Sequence, residues 1–300
     1  MRTKTVCILG GTGFVGQHLV SRLGQAGWHN LVPTRRPHRH RDLKLIPHLE
    51  LTAVDRLDAA TLAPLLAKCD AVVNLVGILN EQGETTFERV HIELVRELTA
   101  AAAQAGVERF VQMSALNADA TGGGSAYLRS KGAGEDLAHR AEGLQVSSVR
   151  PSVIFGRGDS FFNRFASLLE MSPGLFPLAC PDARFAPVWV GDVCEAIARL
   201  LDDPSTVGRR YDLCGPRVLT LEELVAQTAD WIGRRRLLIG LNDRASQWQA
   251  KLFERLPGKP FTMDNYWSMQ TASVCAEQNG LLELGIHPSD IDTIVPTYLR

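Results

Sequence analysis

The sequence predicts an α/β fold: a doubly wound parallel sheet with a smaller C-terminal lobe. Three observations predict it. A β-branched apolar run, Thr5-Val6-Cys7-Ile8-Leu9, stops on the glycine-rich turn Gly10 to Gly16 and passes into a helical pattern. Short apolar runs then alternate with helix-spaced segments as far as Arg150. Beyond it the texture changes, with Pro151, Pro173, Pro177, Pro181 and Pro187 punctuating short apolar pieces. The expected division is therefore 1–150 for the regular unit, and 151–300 for a mixed region that completes the sheet and forms the smaller lobe.

Each element has its own signal. Phe14, Val15, Leu19, Val20 and Leu23 recur at helical spacing, and the first helix ends near Gly24 to Gly27. Asn30 to Pro33, Leu49 to Val54 and Ala71 to Val76 read as the second to fourth strands, with an Ala/Leu-rich helix over Ala59 to Lys68 between the last two. A long helix runs from about Thr86 to Ala105, with Val90, Leu94, Val95, Leu98 and Ala102 on one stripe and Gly106 closing it. Strand five is Arg109 to Met113, the next helix spans about Ser125 to Ala141, and strand six is Gln145 to Val149. Strands joined through helices are parallel and covered on both faces. In the second half, helices are expected at about Asp192 to Leu201 and Leu221 to Ile232, with Asp192 more suited to capping a helix than to chemistry.

Composition narrows the class. The chain has 300 residues, 45% hydrophobic and 22% charged, with a formal net charge of −1. That is ordinary for a globular protein, and nothing in it favours nucleic acid. Six cysteines at 7, 69, 180, 194, 214 and 275 form no Cys-x-x-Cys pair and read as reduced thiols of a cytoplasmic protein. The eight histidines show no ligand spacing, so no metal is expected. No apolar run approaches the ~20 residues of a membrane span.

The turn after the first strand carries the first chemistry. A helix N-terminus offers unpaired N–H groups and the positive end of its dipole, so a pyrophosphate can sit there if no side chain blocks it. Gly10, Gly13 and Gly16 remove the blockage, and Thr12, Phe14 and Val15 complete the turn. Residues 1–150 are thus expected to bind a dinucleotide. An acidic residue about 20 positions further on would take the ribose hydroxyls of NAD. This chain has Thr34-Arg35-Arg36 there instead, which favours NADP(H) over NAD(H); the alternative is two solvated surface arginines. Asp55 stands where it could meet the adenine amino group, and Gly77 would let the backbone pass the nicotinamide.

Tyr127-Leu128-Arg129-Ser130-Lys131 places a phenol and an ammonium four residues apart on one helical face. A neighbouring lysine would bring a phenol of pKa ~10 into working range. Ser114, just past strand five, is positioned to bond a substrate carbonyl or hydroxyl. Pro151 and Val153 expose backbone toward the cofactor, and Arg157 either binds an anionic substrate or pairs with Asp159. Further on, Trp248, Leu252, Phe253 and Leu256 form one apolar face with Arg244, Lys251 and Arg255 beside it. It reads as a lid helix packed on its own domain or as a docking face.

Taken together these residues resemble the short-chain dehydrogenase/reductase superfamily in its extended, epimerase-like branch. More narrowly they resemble the atypical members grouped with the nucleotide-binding accessory subunit of mitochondrial respiratory complex I. The likeness runs through the glycine turn, Val73-Asn74-Leu75-Val76-Gly77, Tyr127 to Lys131, Arg150 to Ser167, Pro187 to Val193 and Leu284-Gly285-Ile286. The superfamily implies a Rossmann fold, NAD(P)H, and hydride chemistry with Ser114, Tyr127 and Lys131 as the catalytic trio. The subgroup implies NADPH held as a structural element against a respiratory or other membrane assembly. Two departures stand out: only 12 residues separate Ser114 from Tyr127, and His91 stands where the family has an asparagine. Two functions follow as expectations. One is an NADP(H)-dependent oxidoreductase or epimerase acting on a carbonyl, sugar-nucleotide or quinone-like small molecule; the other is a nucleotide-binding module peripheral to a membrane partner.

Overall fold

The computed structural model describes residues 3–276 and 278–299. Seven parallel strands form the central sheet: β1 (Thr5–Leu9), β2 (His29–Thr34), β3 (Leu49–Ala53), β4 (Ala71–Asn74), β5 (Arg109–Met113), β6 (Gln145–Pro151) and, from the second half, β11 (Arg210–Leu213). Their order is β11-β6-β5-β4-β1-β2-β3. The chain winds outward from β1 through β2 to β3, then returns to pair β4 with β1 in the register Val6↔Ala71 to Leu9↔Asn74. That reversal opens a crevice at the C-terminal ends of β1 and β4, where such sheets hold ligands.

Alternation along β1 shows why both faces are covered. Val6 and Ile8 face Leu19 and Leu23 of α1 (Phe14–Gln25) and Val193 and Ile197 of α6 (Val190–Asp202). Cys7 and Leu9 face Leu62 and Leu66 of α2 (Ala59–Leu66), Leu98 of α3 (Leu94–Gln104) and Ala138 of α4 (Ala126–His139). Each large aliphatic side chain fully removed from water there contributes roughly 1.5–3 kcal/mol.

The smaller lobe is built from α5 (Phe162–Met171), α7 (Leu221–Trp231), α8 (Asp243–Phe253) and α9 (Met263–Met269). Three short ladders brace it: β7 (Ile154–Phe155) with β10 (Val188–Trp189), β9 (Arg184–Phe185) with β12 (Leu219–Thr220), and β8 (Leu175–Leu178) with β13 (Leu237–Gly240). Among the described residues no helix is long and apolar enough to cross a membrane.

Several expectations are corrected. The fourth strand ends at Asn74, because its Oδ1 accepts the Val76 N–H at 3.2 Å and turns the chain. The long helix is two pieces: a π-helical turn over Glu88–Glu93 precedes α3. There the chain presses onto α4 at Gly134, where a Cβ would lie 1.9 Å from the His91 carbonyl oxygen. Asp192 caps no helix; α6 starts at Val190, and the carboxylate accepts from the Ser289 N–H (2.7 Å) and hydroxyl (3.1 Å). The six cysteines are not all thiols: Cys214 and Cys275, 61 positions apart in sequence, are joined in a disulfide, and Cys7, Cys69, Cys180 and Cys194 are free.

Candidate functional site

Because every strand of the sheet is parallel, the turns after β1, β2, β3, β4, β5 and β6 emerge at one edge, and the glycine turn, Arg35, Arg36, Asp55 and Gly77 lie along it. The glycine turn is shaped by close approach. Gly10 has φ +77°, and its carbonyl accepts the Gly13 N–H at 2.9 Å. A Cβ on Gly16 would lie 2.3 Å from the Gly10 oxygen, and one on Gly11 would lie 2.7 Å from Val32. Gly13 is the N-cap of α1 and no side chain caps the helix, so its first N–H groups are left for a ligand. Thr12 is held by its carbonyl, which accepts from Gln17 Nε2 at 3.0 Å. Phe14 and Val15 pack against the core, and the Phe14 ring lies beside Gly156 and Gly158 of the turn after β7. This cradle, uncapped and closed to any side chain, fits a dinucleotide's pyrophosphate.

Along the crevice, Arg35 and Arg36 are exposed just past β2, with Thr34 buried and its Oγ1 accepting the Arg36 N–H at 3.4 Å. Asp55 is exposed in the turn after β3. Pro151 ends β6 and Val153 follows it, their carbonyls accepting from the Leu116 and Val188 N–H groups at 3.1 and 3.0 Å. Arg157 points to solvent and makes no pair with Asp159. That carboxylate is 3% exposed and accepts from the N–H groups of Gly156, Phe162 and Asn163 and from the Tyr298 hydroxyl at 2.6 Å. It caps α5 and clamps the C-terminal segment onto it.

At the other end of the crevice Gly77, His91, Tyr127 and Lys131 converge. A Cβ on Gly77 would stand 3.5 Å from His91 Nε2 and 3.6 Å from Lys131 Nζ, so glycine keeps that space open. Lys131 is buried, and its ammonium donates to the Met113 carbonyl at 2.6 Å. Burial brings it down to about 8, with Glu135 opposing. The His91 ring is sandwiched by Phe87 (5.5 Å) and meets Tyr127 edge-on (5.7 Å). Ser130 donates its only hydroxyl proton to the Tyr127 carbonyl at 2.8 Å, so it accepts from His91 Nδ1 at 2.9 Å. The imidazole is therefore the neutral Nδ1–H tautomer, leaving Nε2 to accept the Ile78 N–H at 3.1 Å. Burial, then the Lys131 charge, pushes its pKa down to about 3. His91 thus ties the loop after β4 to the helix carrying Tyr127.

Two features differ from the sequence reading. Tyr127 is not drawn down by its lysine. Burial and then the Asp264 carboxylate push the phenol up to about 12, so it is a protonated donor at neutral pH. Asp264, on α9, accepts the Ala126 and Tyr127 N–H groups at 2.7 and 3.1 Å and completes the N-terminus of α4. No local spacing points to that contact, which spans 137 positions. The second is Ser114: its hydroxyl donates to the Glu135 carboxylate at 3.1 Å, a contact the sequence reading did not include. Glu135, fully buried on α4, is held by Arg150 (2.9 Å) and Arg210 (3.4 Å). Among the described residues no group of His, Cys, Asp or Glu is arranged to hold a metal ion.

Residues 6–214 match the model of the NAD dependent epimerase/dehydratase family, and the chain belongs to that family. It is 31% identical over 297 residues to the mitochondrial NADH dehydrogenase (ubiquinone) 1 alpha subcomplex subunit 9 of Mus musculus, covering 95% of this chain and 77% of that one. It is 33% identical over 202 residues to the ceramide reductase of Caulobacter vibrioides, covering 66% and 61%. The fold is similar to that of DesIV, the dTDP-glucose 4,6-dehydratase of Streptomyces venezuelae solved with NAD bound. The TM-score is 0.73 at 22% identity over 99% of this chain and 96% of that one.

Proposed function

We propose that this chain is an NADP(H)-dependent oxidoreductase acting on the carbonyl of a small molecule, with residues 1–150 holding the nucleotide and 151–300 shaping the substrate lobe. One observation carries the reading: a protonated phenol, an anchored ammonium and an open glycine converge at the end of β4. The uncapped N-terminus of α1 would take the pyrophosphate, Arg35 and Arg36 the 2′-phosphate, and Asp55 the adenine amino group. Lys131 and the backbone at Gly77, Pro151 and Val153 would border the nicotinamide ribose. When bound, the cofactor supplies or accepts the hydride.

The chain's own part is the proton. A phenol near 12 gives its proton to a carbonyl oxygen as negative charge develops there, and the phenolate left behind is reprotonated from solvent. The Phe87 and His91 rings set the phenol's orientation. Relatives named ceramide reductase and (4-alkanoyl-5-oxo-2,5-dihydrofuran-3-yl)methyl phosphate reductase support a reductase. Solved structures of similar fold bind sugar nucleotides, which keeps those and quinone-like carbonyls among substrates to be tried. The test is NADPH oxidation against such a panel: wild type turns over, whereas Tyr127→Phe binds NADPH equally and loses activity by at least two orders of magnitude. Equal rates in both proteins would defeat the proposal.

A second reading, a module holding NADPH as a structural element against a respiratory or other membrane assembly, is favoured by Ser114. Its hydroxyl proton goes to Glu135, and the mitochondrial subunit is a relative along nearly the whole chain. Nicotinamide absorbance retained through gel filtration, with no substrate able to discharge it, would select this reading.

A further inference from the structure

Outside the crevice the largest unexplained feature is the outer surface of α8 and the ladder before it. Ser246 and Ala250 are buried and fix the inner face of α8. At 100° per residue, Trp248 lies opposite them, with Leu252 beside it on the helix and Leu256 in the turn that follows. They are 67%, 41% and 45% exposed. Arg244 and Lys251 lie along the other side of Trp248, and Arg255 follows in the turn past the helix, all exposed. The two carboxylates of the helix and its C-cap, Asp243 and Glu254, fall outside this sector, and Asp243 is occupied by Tyr266 and Gln247.

The ladder continues the pattern. Register pairs Leu175 with Leu237 and Pro177 with Ile239. Leu175, Leu237 and Ile239 are 57%, 64% and 42% exposed, while Phe176 and Leu238, on the alternate face, pack into the lobe's core. Gln249 of α8 reaches the Pro177 carbonyl at 3.4 Å, so helix and ladder abut. Residues 234–259 hold seven Lys and Arg against two acids, in a chain of net charge −1.

We infer that this face docks on an anionic lipid surface, lying in the plane of the headgroups. The occupant follows from shape and charge. The apolar and cationic stripes run side by side along a convex helical ridge, so the apolar stripe can enter the acyl boundary while the Arg and Lys stems extend upward to phosphate level. Trp248, at the seam between the stripes, has the amphipathic ring favoured at that depth. The docked helix is one element from the reacting end: Gln247 bonds Tyr266 of α9 (3.1 Å), and α9 carries Asp264 to the backbone of Tyr127.

The test is co-sedimentation of the full chain with phosphatidylcholine vesicles, with and without about one-third phosphatidylglycerol, at low salt. Wild type pellets with the anionic vesicles only. Reversing Arg244, Lys251 and Arg255 to Glu weakens binding by at least about a hundred-fold. Trp248→Ser also releases the protein, with thermal unfolding of both variants unchanged because all four side chains are exposed. Brominated acyl chains quench wild type more than Trp248→Phe, since Trp267 is common to both. Wild type remaining in the supernatant overturns the inference, as does binding indifferent to these variants. Loss of a co-purifying protein on Trp248→Ser, without any vesicle binding by wild type, overturns it in favour of a protein partner.

Discussion

Lowering the pH from about 7.5 to about 5 puts a proton on His91 in the unfolded chain and not in the folded one. The ring is 2% exposed, its Nε2 already accepts the Ile78 N–H, and its Nδ1–H is given to Ser130. Burial, then Lys131, holds its pKa at about 3, against about 6.5 for an unhindered imidazole. Between those values the unfolded state binds more protons, so stability rises with pH. The contribution is fully present above about pH 6.5 and is lost as pH falls toward about 3. At pH 5 the unfolded group lies about 1.5 units above ambient, and at 1.36 kcal/mol per unit the loss is about 2 kcal/mol.

His139 titrates in the same direction, pushed to about 4 by burial first and then by Arg210 and Arg150, so wild type alone cannot isolate His91. His91→Gln can, because an amide oxygen still accepts the Ile78 N–H and does not titrate. Urea unfolding at both pH values is the assay. Wild type should lose about 2 kcal/mol more than His91→Gln between them. Equal losses would refute the tautomer and the burial argument together.

Arg35→Ser and Arg36→Ser remove exposed guanidinium groups that bond nothing structural, so each should weaken NADPH binding by about ten- to a hundred-fold while leaving NADH affinity and thermal stability unchanged. Titration of both nucleotides checks it, and a loss shared equally between them would sink the assignment. Glu135→Ala strips the carboxylate from Arg150, Arg210 and Ser114 inside the protein. It should cost about 3–5 kcal/mol in a urea melt; a cost under about 1 kcal/mol would contradict that burial. Gly16→Ala drives a Cβ against the backbone of Gly10 and Gly11. It should abolish nucleotide retention and lower the melting temperature, and a variant that still holds nucleotide would count against the cradle.

The sheet was legible because its signals are local. Strands β1, β2, β3, β5 and β6 are short runs bounded by their own turns, α1 has its periodicity within its own 12 residues, and α4 is started by the adjacent Ser125 cap. The π-helical turn was not, since a repeat of 3.6 carries the same stripe through an extra residue at His91. The site divides along the same line. Gly10 to Gly16, Gly77 and the Tyr127–Lys131 spacing are written in short segments, and the structure gathers them at one edge.

What spacing could not decide is how those groups are tuned, because tuning comes from partners far along the chain. The Lys131 ammonium turns to a carbonyl of β5, while burial and then Asp264, arriving from the lobe, raise the phenol. Ser114 has the right residue type just past the right strand, yet its hydroxyl answers to Glu135, whose ion pairs reach into β6 and β11. In this fold the nucleotide end is therefore set by local backbone shape, whereas the reacting end depends on burial and on partners distant in sequence, from β5, β6, β11 and α9. It follows that substitutions in α9 should alter turnover without altering cofactor binding, and substitutions in the glycine turn should remove both.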